Sequence, residues 1–236
     1  MRIVLAEDHG LVREGLCALL SCASDIELVG QAEDGLTALA LVQRLRPDVL
    51  LTDVSMPGLN GIECARRVRA SDDGVRVLCL SMHADTRTVM SAIEAGASGY
   101  LLKDACSAEL LQALRTVAAG RVHLSADLVG LLVACRGSRP GGAAAVRTAA
   151  LSAREREVAQ LLSEGFSTKQ AAERLFISAK TVATHRENIM HKLDIRSMAE
   201  LTRYALQEGL SSLTQRSDSP GSVAQPLSNR PSPSPL

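Results

Sequence analysis

Four short apolar runs in the first half of the chain each end on an acidic, hydroxyl or ammonium side chain, and this regularity restricts the fold more than any other feature. The runs are IVLAED, closing on Glu7 and Asp8, DVLLTD, closing on Asp53, VRVLCLS, closing on Ser81, and GYLLK, closing on Lys103. Runs of this length bounded by turn residues suit fully buried strands. Between them lie segments of helical period, such as the one carrying Leu36, Leu39, Ala40 and Val42. Strands that alternate with helices build a parallel sheet covered on both faces. The pattern predicts strands over 2–7, 27–32, 48–53, 76–81 and 99–103, with helices over 10–22, 35–45, 61–70, 85–96 and 107–119. The fold expected for this half is a five-stranded, doubly wound α/β domain.

In an open α/β sheet the ligand crevice lies beyond the carboxyl ends of the strands. The four run ends therefore converge on one place. Three carboxylates crowded there would repel one another, and a hard divalent cation such as Mg2+ relieves that repulsion by binding oxygen ligands.

At 236 residues the length favours two domains. The pattern lapses over 136–149, RGSRPGGAAAVRTA, a stretch of Gly, Pro, Ser and Ala that reads as a linker. The expected organisation is an α/β domain at 1–122, a connecting helix and flexible linker at 123–149, a helical domain at 150–210 and a disordered Pro/Ser-rich tail at 211–236. The tail holds five of the eight prolines. Residues 1–134 carry 12 Lys+Arg against 17 Asp+Glu, and residues 135–236 carry 14 against 9, an asymmetry that points the second half toward a polyanion. The six cysteines form no CxxC pair, which fits small hydrophobes in a reducing cytoplasm. The N-terminus lacks the pattern of a signal peptide. With no apolar stretch near ~18 residues, neither a membrane span nor a membrane partner is expected.

The helical half marks its own helix starts. Ser152 with Glu155 and Ser167 with Gln170 form capping-box patterns, and Ser178 opens a longer helix over 179–193. A short helix over 168–175, a turn at Phe176-Ile177-Ser178 and the helix that follows spell a helix-turn-helix, whose second helix enters the DNA major groove. On that helix Val182, Ile189 and Leu193 share an inward face. Lys180, Thr181, Ala183, Thr184, Arg186, Glu187 and Asn188 face outward. Lys180, Thr181 and Arg186 suit phosphate or base-edge contacts, and His185 and Lys192 are further phosphate candidates.

The acid pair, the DVSMPGLNG loop, the LSMHAD segment and the GASGYLLKDA segment together resemble the receiver domain of a two-component response regulator, over essentially residues 1–122. The resemblance implies a flavodoxin-like sheet in which Asp53 is the phosphoacceptor for a phosphohistidine on a sensor histidine kinase. It further implies that Glu7, Asp8, Asp53 and the Ser55 carbonyl hold Mg2+, and that Ser81 and Lys103 stabilise the phosphoryl oxygens. Tyr100 is similar to the aromatic that such domains couple to the switch, and is otherwise an ordinary strand aromatic. His9 and His83 read as loop residues.

Residues 151–209 closely resemble the LuxR-type DNA-binding domain of NarL/FixJ response regulators. The last helix, Met198 to Gln207, presents Leu201, Tyr204 and Ala205. This stripe either closes the small core or serves as the dimerisation helix that the resemblance implies. Partners implied are double-stranded promoter DNA, a second copy of the chain on that DNA, and RNA polymerase. The chain departs from many relatives at Ala183 and Glu187, where basic or larger base-reading side chains are common, and at Ala179, where proline is common.

The combined expectation is a phosphorylation-dependent transcription regulator in which the unphosphorylated receiver masks the recognition helix. It is not an enzyme beyond its own Mg2+-dependent phosphorylation and dephosphorylation. A phosphatase of the haloacid-dehalogenase type would place a general acid two residues after the nucleophile, where this chain has Ser55. A receiver that binds only proteins would show weak, salt-insensitive DNA association.

Overall fold

The computed structural model describes residues 1–71, 74–82, 84–125, 128–130 and 151–211. Most of the expected 123–149 linker, nearly all of the 211–236 tail, and His83 lie outside the described residues.

The first half alternates strand and helix in the order β1 (Arg2–Ala6), α1 (Gly10–Ser21), β2 (Glu27–Ala32), α2 (Gly35–Leu45), β3 (Val49–Asp53), α3 (Gly61–Ser71), β4 (Arg76–Ser81), α4 (Thr86–Ala95), β5 (Gly99–Leu102), α5 (Ser107–Ala118) and β6 (His123–Leu124). All strand pairs are parallel and the spatial order is β2-β1-β3-β4-β5-β6. The sheet therefore has six strands, where the sequence pattern predicts five. His123 and Leu124, expected to begin a connecting helix, instead pair with Gly99 and Tyr100 at the β5 edge.

Alternation along each strand splits the core. Val4 and Ala6 pack on one face with residues such as Val42, Ile62 and Val89, while Ile3 and Leu5 pack on the other with Leu20, Leu110, Leu114 and Val117. Every residue of β3 is buried, as suits a central parallel strand covered on both sides. Helix starts are fixed locally. Asp34 and Asp85 accept from the amides of Thr37 and Thr88, each at 2.9 Å, and Asn60 accepts from Glu63 N at 2.8 Å. Gly61 is needed where α3 leaves the sheet, because a Cβ there would collide with the Asp53 carbonyl.

The second half is helical, with α6 (Ala153–Ser163), α7 (Thr168–Arg174), α8 (Ala179–Leu193) and α9 (Met198–Gln207). Capping boxes at Ser152–Glu155, Ser167–Gln170 and Ser197–Glu200 begin α6, α7 and α9. A separate core gathers Val158, Leu161, Ala171, Val182, Ile189, Leu193, Leu201 and Ala205.

The two halves meet through α6 and the end of α9. Arg156 Nε lies 3.0 Å from Glu63 Oε2, Arg67 pairs with Glu157, and Arg87 donates to the Gln207 carbonyl at 3.1 Å. Asn60 Nδ2 donates to the Leu210 carbonyl at 3.3 Å. Further hydrogen bonds fall on the loop after Asp53.

Candidate functional site

The strand ends do converge. Glu7 and Asp8 follow β1 and Asp53 ends β3, the two strands between which the winding of the sheet reverses, and this is where such sheets bind ligands. Lys103, just past β5, reaches across β4 to both acids. Its Nζ lies 3.0 Å from Asp53 Oδ2 and 3.0 and 2.8 Å from Glu7 Oε1 and Oε2. Its backbone amide donates to the Ser81 carbonyl at 2.8 Å, which fixes the reach of the side chain.

Electrostatics here are a contest between burial and pairing. Burial pushes the Glu7 carboxyl up, and the Asp53 charge adds to that push against the opposing hydrogen bond from Lys103. For Lys103, burial works against the ammonium, but Asp53 and Glu7 together outweigh it and hold its pKa above the usual lysine value. One lysine thus balances two crowded acids.

Ligand atoms of Glu7, Asp8, His9 and Asp53 lie within 4.8 Å of one another. Two of the carboxylates, Glu7 and Asp53, are buried, and Glu7 Oε2 has no partner within hydrogen-bond geometry although the Lys103 charge is near. This oxygen-rich set fits a hard divalent cation. His9, expected to be a plain loop residue, joins the pocket: its Nδ1 lies 2.8 Å from Asp8 Oδ1 and 3.3 Å from Glu7 Oε1. The sequence signal available for it was its position directly after the acid pair.

Ser55 donates its amide to Asp53 Oδ1 at 3.2 Å. Ser81 is buried, and its side chain bonds to the hydroxyl of Tyr100, which is itself fully buried. Burial pushes the tyrosine hydroxyl well above its ordinary pKa, against the opposing hydrogen bond with Ser81.

In the second half, Ser178 caps α8 through Thr181 N at 3.0 Å, and Lys180, Thr181, Thr184, Arg186, Glu187 and Asn188 are exposed on its outer face. Ala183 and His185 are partly exposed. An open groove runs between α8 and the turn before α9, lined by Ala183, Arg186, Glu187, Met190, Ile195 and Arg196. The residue opening the turn, Phe176, is 92% exposed.

Sequence comparison decides the family. The profile described as "Response regulator receiver domain" matches residues 3–115, and "Bacterial regulatory proteins, luxR family" matches 149–205. The chain is 38% identical over 214 residues to the oxygen regulatory protein NreC of Staphylococcus aureus (strain JH9), covering 89% of this chain and 99% of that one. The chain belongs to the LuxR-type response regulators. Among solved structures, the receiver domain of the response regulator NarL from Mycobacterium tuberculosis is 41% identical, covers 51% of this chain and 97% of that one, and superposes with a TM-score of 0.50. A structure of two RcsB dimers bound to two parallel DNAs is 25% identical, covers 88% of this chain and 98% of that one, and has a TM-score of 0.54. This regulator therefore joins a receiver domain to a DNA-binding domain, and among its described residues no helix is long and apolar enough to cross a membrane.

Three expectations for the regulator's second domain need correction. Lys192 does not stand free for phosphate, because its Nζ is held 2.7 Å from Glu155 Oε2 at the cap of α6. Leu201 and Ala205 are fully buried in the small core, so they close that core and offer nothing to a second copy. Tyr204 is partly exposed, and the outer side of α9 presents Ala199, Arg203 and Gln207. Third, among the described residues the hydrogen bonds and ion pairs between the halves come from α6, from Glu164 just after it and from the end of α9, and the outer face of the recognition helix is exposed.

Proposed function

We propose that residues 1–122 are a phosphoacceptor domain with Asp53 as its nucleophile, and that phosphorylation there controls promoter binding by residues 150–210. The observation that carries this reading is the placement of Lys103 between Asp53 and Glu7, 3.0 and 2.8 Å away, beside the Asp8 carboxylate. Glu7, Asp8, Asp53 and the Ser55 carbonyl would hold Mg2+, which supplies positive charge against the transferring phosphoryl oxygens. Phosphoryl transfer asks a protein mainly for positioning and charge stabilisation. A carboxylate oxygen of Asp53 attacks the phosphorus of a phosphohistidine on a sensor kinase. The O–P bond forms as the N–P bond breaks, and the departing imidazole takes a proton. Lys103 stays within reach of a phosphoryl oxygen as Asp53 gives up its charge, and Ser81 donates a hydrogen bond to another. Water later cleaves the acyl phosphate.

Tyr100 is the switch residue of this reading, since a Ser81 side chain that turns to the phosphoryl group leaves the tyrosine hydroxyl without its partner. On the DNA side, Lys180, Thr181, Ala183, Thr184, His185, Arg186 and Glu187 face the major groove. Two copies read paired half-sites, as the RcsB dimers on DNA support for a relative. RNA polymerase is the further partner of such a promoter-bound regulator, in the cytoplasm.

The test is incubation with Mg2+ and a small acyl phosphate, followed by salt-dependent binding to a genomic DNA pool. Labelling at Asp53 with tighter selective binding supports the reading. Labelling elsewhere overturns it.

A further inference from the structure

The loop from Val54 to Asn60 leaves the acceptor aspartate, and its main chain is bonded by one side chain of α6 and one of its C-cap residue, both in the other domain. Gln160 accepts from Asn60 N at 3.1 Å through Oε1 and donates to the Met56 carbonyl at 3.0 Å through Nε2. Glu164 accepts from Gly58 N at 3.1 Å through Oε2, and its Oε1 accepts from Gln160 Nε2 at 2.7 Å. Gln160 is buried, so these bonds are shielded from competing water. Gly58 has φ of +77°, a conformation that favours glycine, and its amide faces α6.

The near end of the same loop is tied to the reacting carboxylate. Both oxygens of Asp53 are engaged, Oδ2 by Lys103 and Oδ1 by the Ser55 amide. A phosphoryl group on Asp53 takes one of these oxygens and adds about −1.5 to −2 charges. Where that oxygen is Oδ1, the Ser55 amide is displaced, and Met56 is the next residue. The far end cannot absorb the movement, because Gly61 N is bonded to the Val54 carbonyl at 3.0 Å and Asn60 caps α3.

We propose that Gln160 and Glu164 are positioning residues of the acceptor site: by gripping the main chain at Met56, Gly58 and Asn60, the DNA-binding domain sets how readily Asp53 takes a phosphoryl group. The influence runs from output domain to chemistry, and linkage makes it reciprocal with the effect of phosphorylation on docking. The inference rests on the reading of Asp53 as acceptor.

Beryllofluoride, a phosphoryl mimic that needs no turnover, tests it on the full chain with Mg2+ by titration calorimetry. Gln160→Ala and Glu164→Ala are expected to bind it about fivefold or more tightly than the wild type. Arg87→Ala, which loosens the contact at α9 without touching the loop, is expected to gain much less. A misfolded variant cannot produce a gain in affinity. Unchanged affinity in both loop variants, or an equal gain in Arg87→Ala, overturns the proposal. A second measurement uses the wild type alone: hydrogen exchange at the Gly58 and Asn60 amides speeds up on beryllofluoride binding if α6 lets go, and unchanged protection overturns the proposal. A wild type that binds no beryllofluoride overturns the acceptor reading itself, an outcome distinct from equal binding in all variants.

Discussion

Lys192, near the end of the recognition helix, places its ammonium 2.7 Å from Glu155, the residue that completes the capping box of the first helix of the domain. Glu155 already accepts from the Ser152 amide at 2.7 Å, so one carboxylate caps α6 and anchors α8 at once. Lys192→Met is expected to lower the stability of this domain by about 1 kcal/mol, since the pair is partly screened by solvent. It should leave the salt dependence of DNA binding unchanged. Thermal unfolding and DNA titrations over a salt series check the two halves of this prediction.

Glu155 also carries a pH signature. Burial opposes its charge, but the bonds from Lys192 and Ser152 more than offset this and hold its carboxyl below the ordinary glutamate value. The stabilisation is therefore present above the ordinary range and is lost as pH falls through the lowered one. In Glu155→Gln the acid limb of the stability curve for the helical domain is expected to flatten; an unaltered limb would assign the acid sensitivity to other groups.

Arg186 is exposed on the face of α8 that the DNA reading uses. Arg186→Ala is expected to weaken binding to all DNA sequences alike and to reduce the salt slope by about 1, as loss of a phosphate contact does. A loss confined to one sequence would mark base readout instead.

Asp53→Asn is expected to abolish Mg2+-dependent phosphorylation while the fold persists, because the amide keeps the size of the buried side chain. Intact-mass measurement after exposure to a small acyl phosphate reads the label, and circular dichroism reads the fold.

Asp25 and Arg115 pair on the surface between α1 and α5, at 2.8 and 2.9 Å, and the Arg115 hydrogen bond holds the Asp25 carboxyl down at about 2. In Arg115→Ala this carboxyl is expected to titrate near the ordinary value of about 4. Its contribution to stability is present at neutral pH and disappears as pH falls from the ordinary range toward the lowered one. An NMR titration of the Asp25 side chain measures the shift.

The strands and the acidic pocket were legible because each apolar run is short, bounded and closed by a polar residue or, in the first run, by a pair of acids. Glu7, Asp8, Asp53 and Lys103 could be placed by counting run ends, and α8 falls on the predicted 179–193. What escaped the sequence has no periodic mark. β6 is two residues long, too short to alternate. The Lys192–Glu155 pair joins two helices far apart in the chain. Gln160 and Glu164 bond to main-chain groups, which any residue at Met56, Gly58 or Asn60 would supply. The burial of Leu201 and Ala205 depends on which side of α9 meets α6, a choice that an amphipathic stripe leaves open.

The short pairing of His123 and Leu124 with Gly99 and Tyr100 has a consequence for how copies of this protein can meet. A parallel sheet that ended at β5 would expose a row of amides and carbonyls ready to add a strand from a neighbour. Here the chain spends part of that row on its own next segment, and Leu128 just beyond is fully buried. Growth of the sheet by strand addition is blunted on that side.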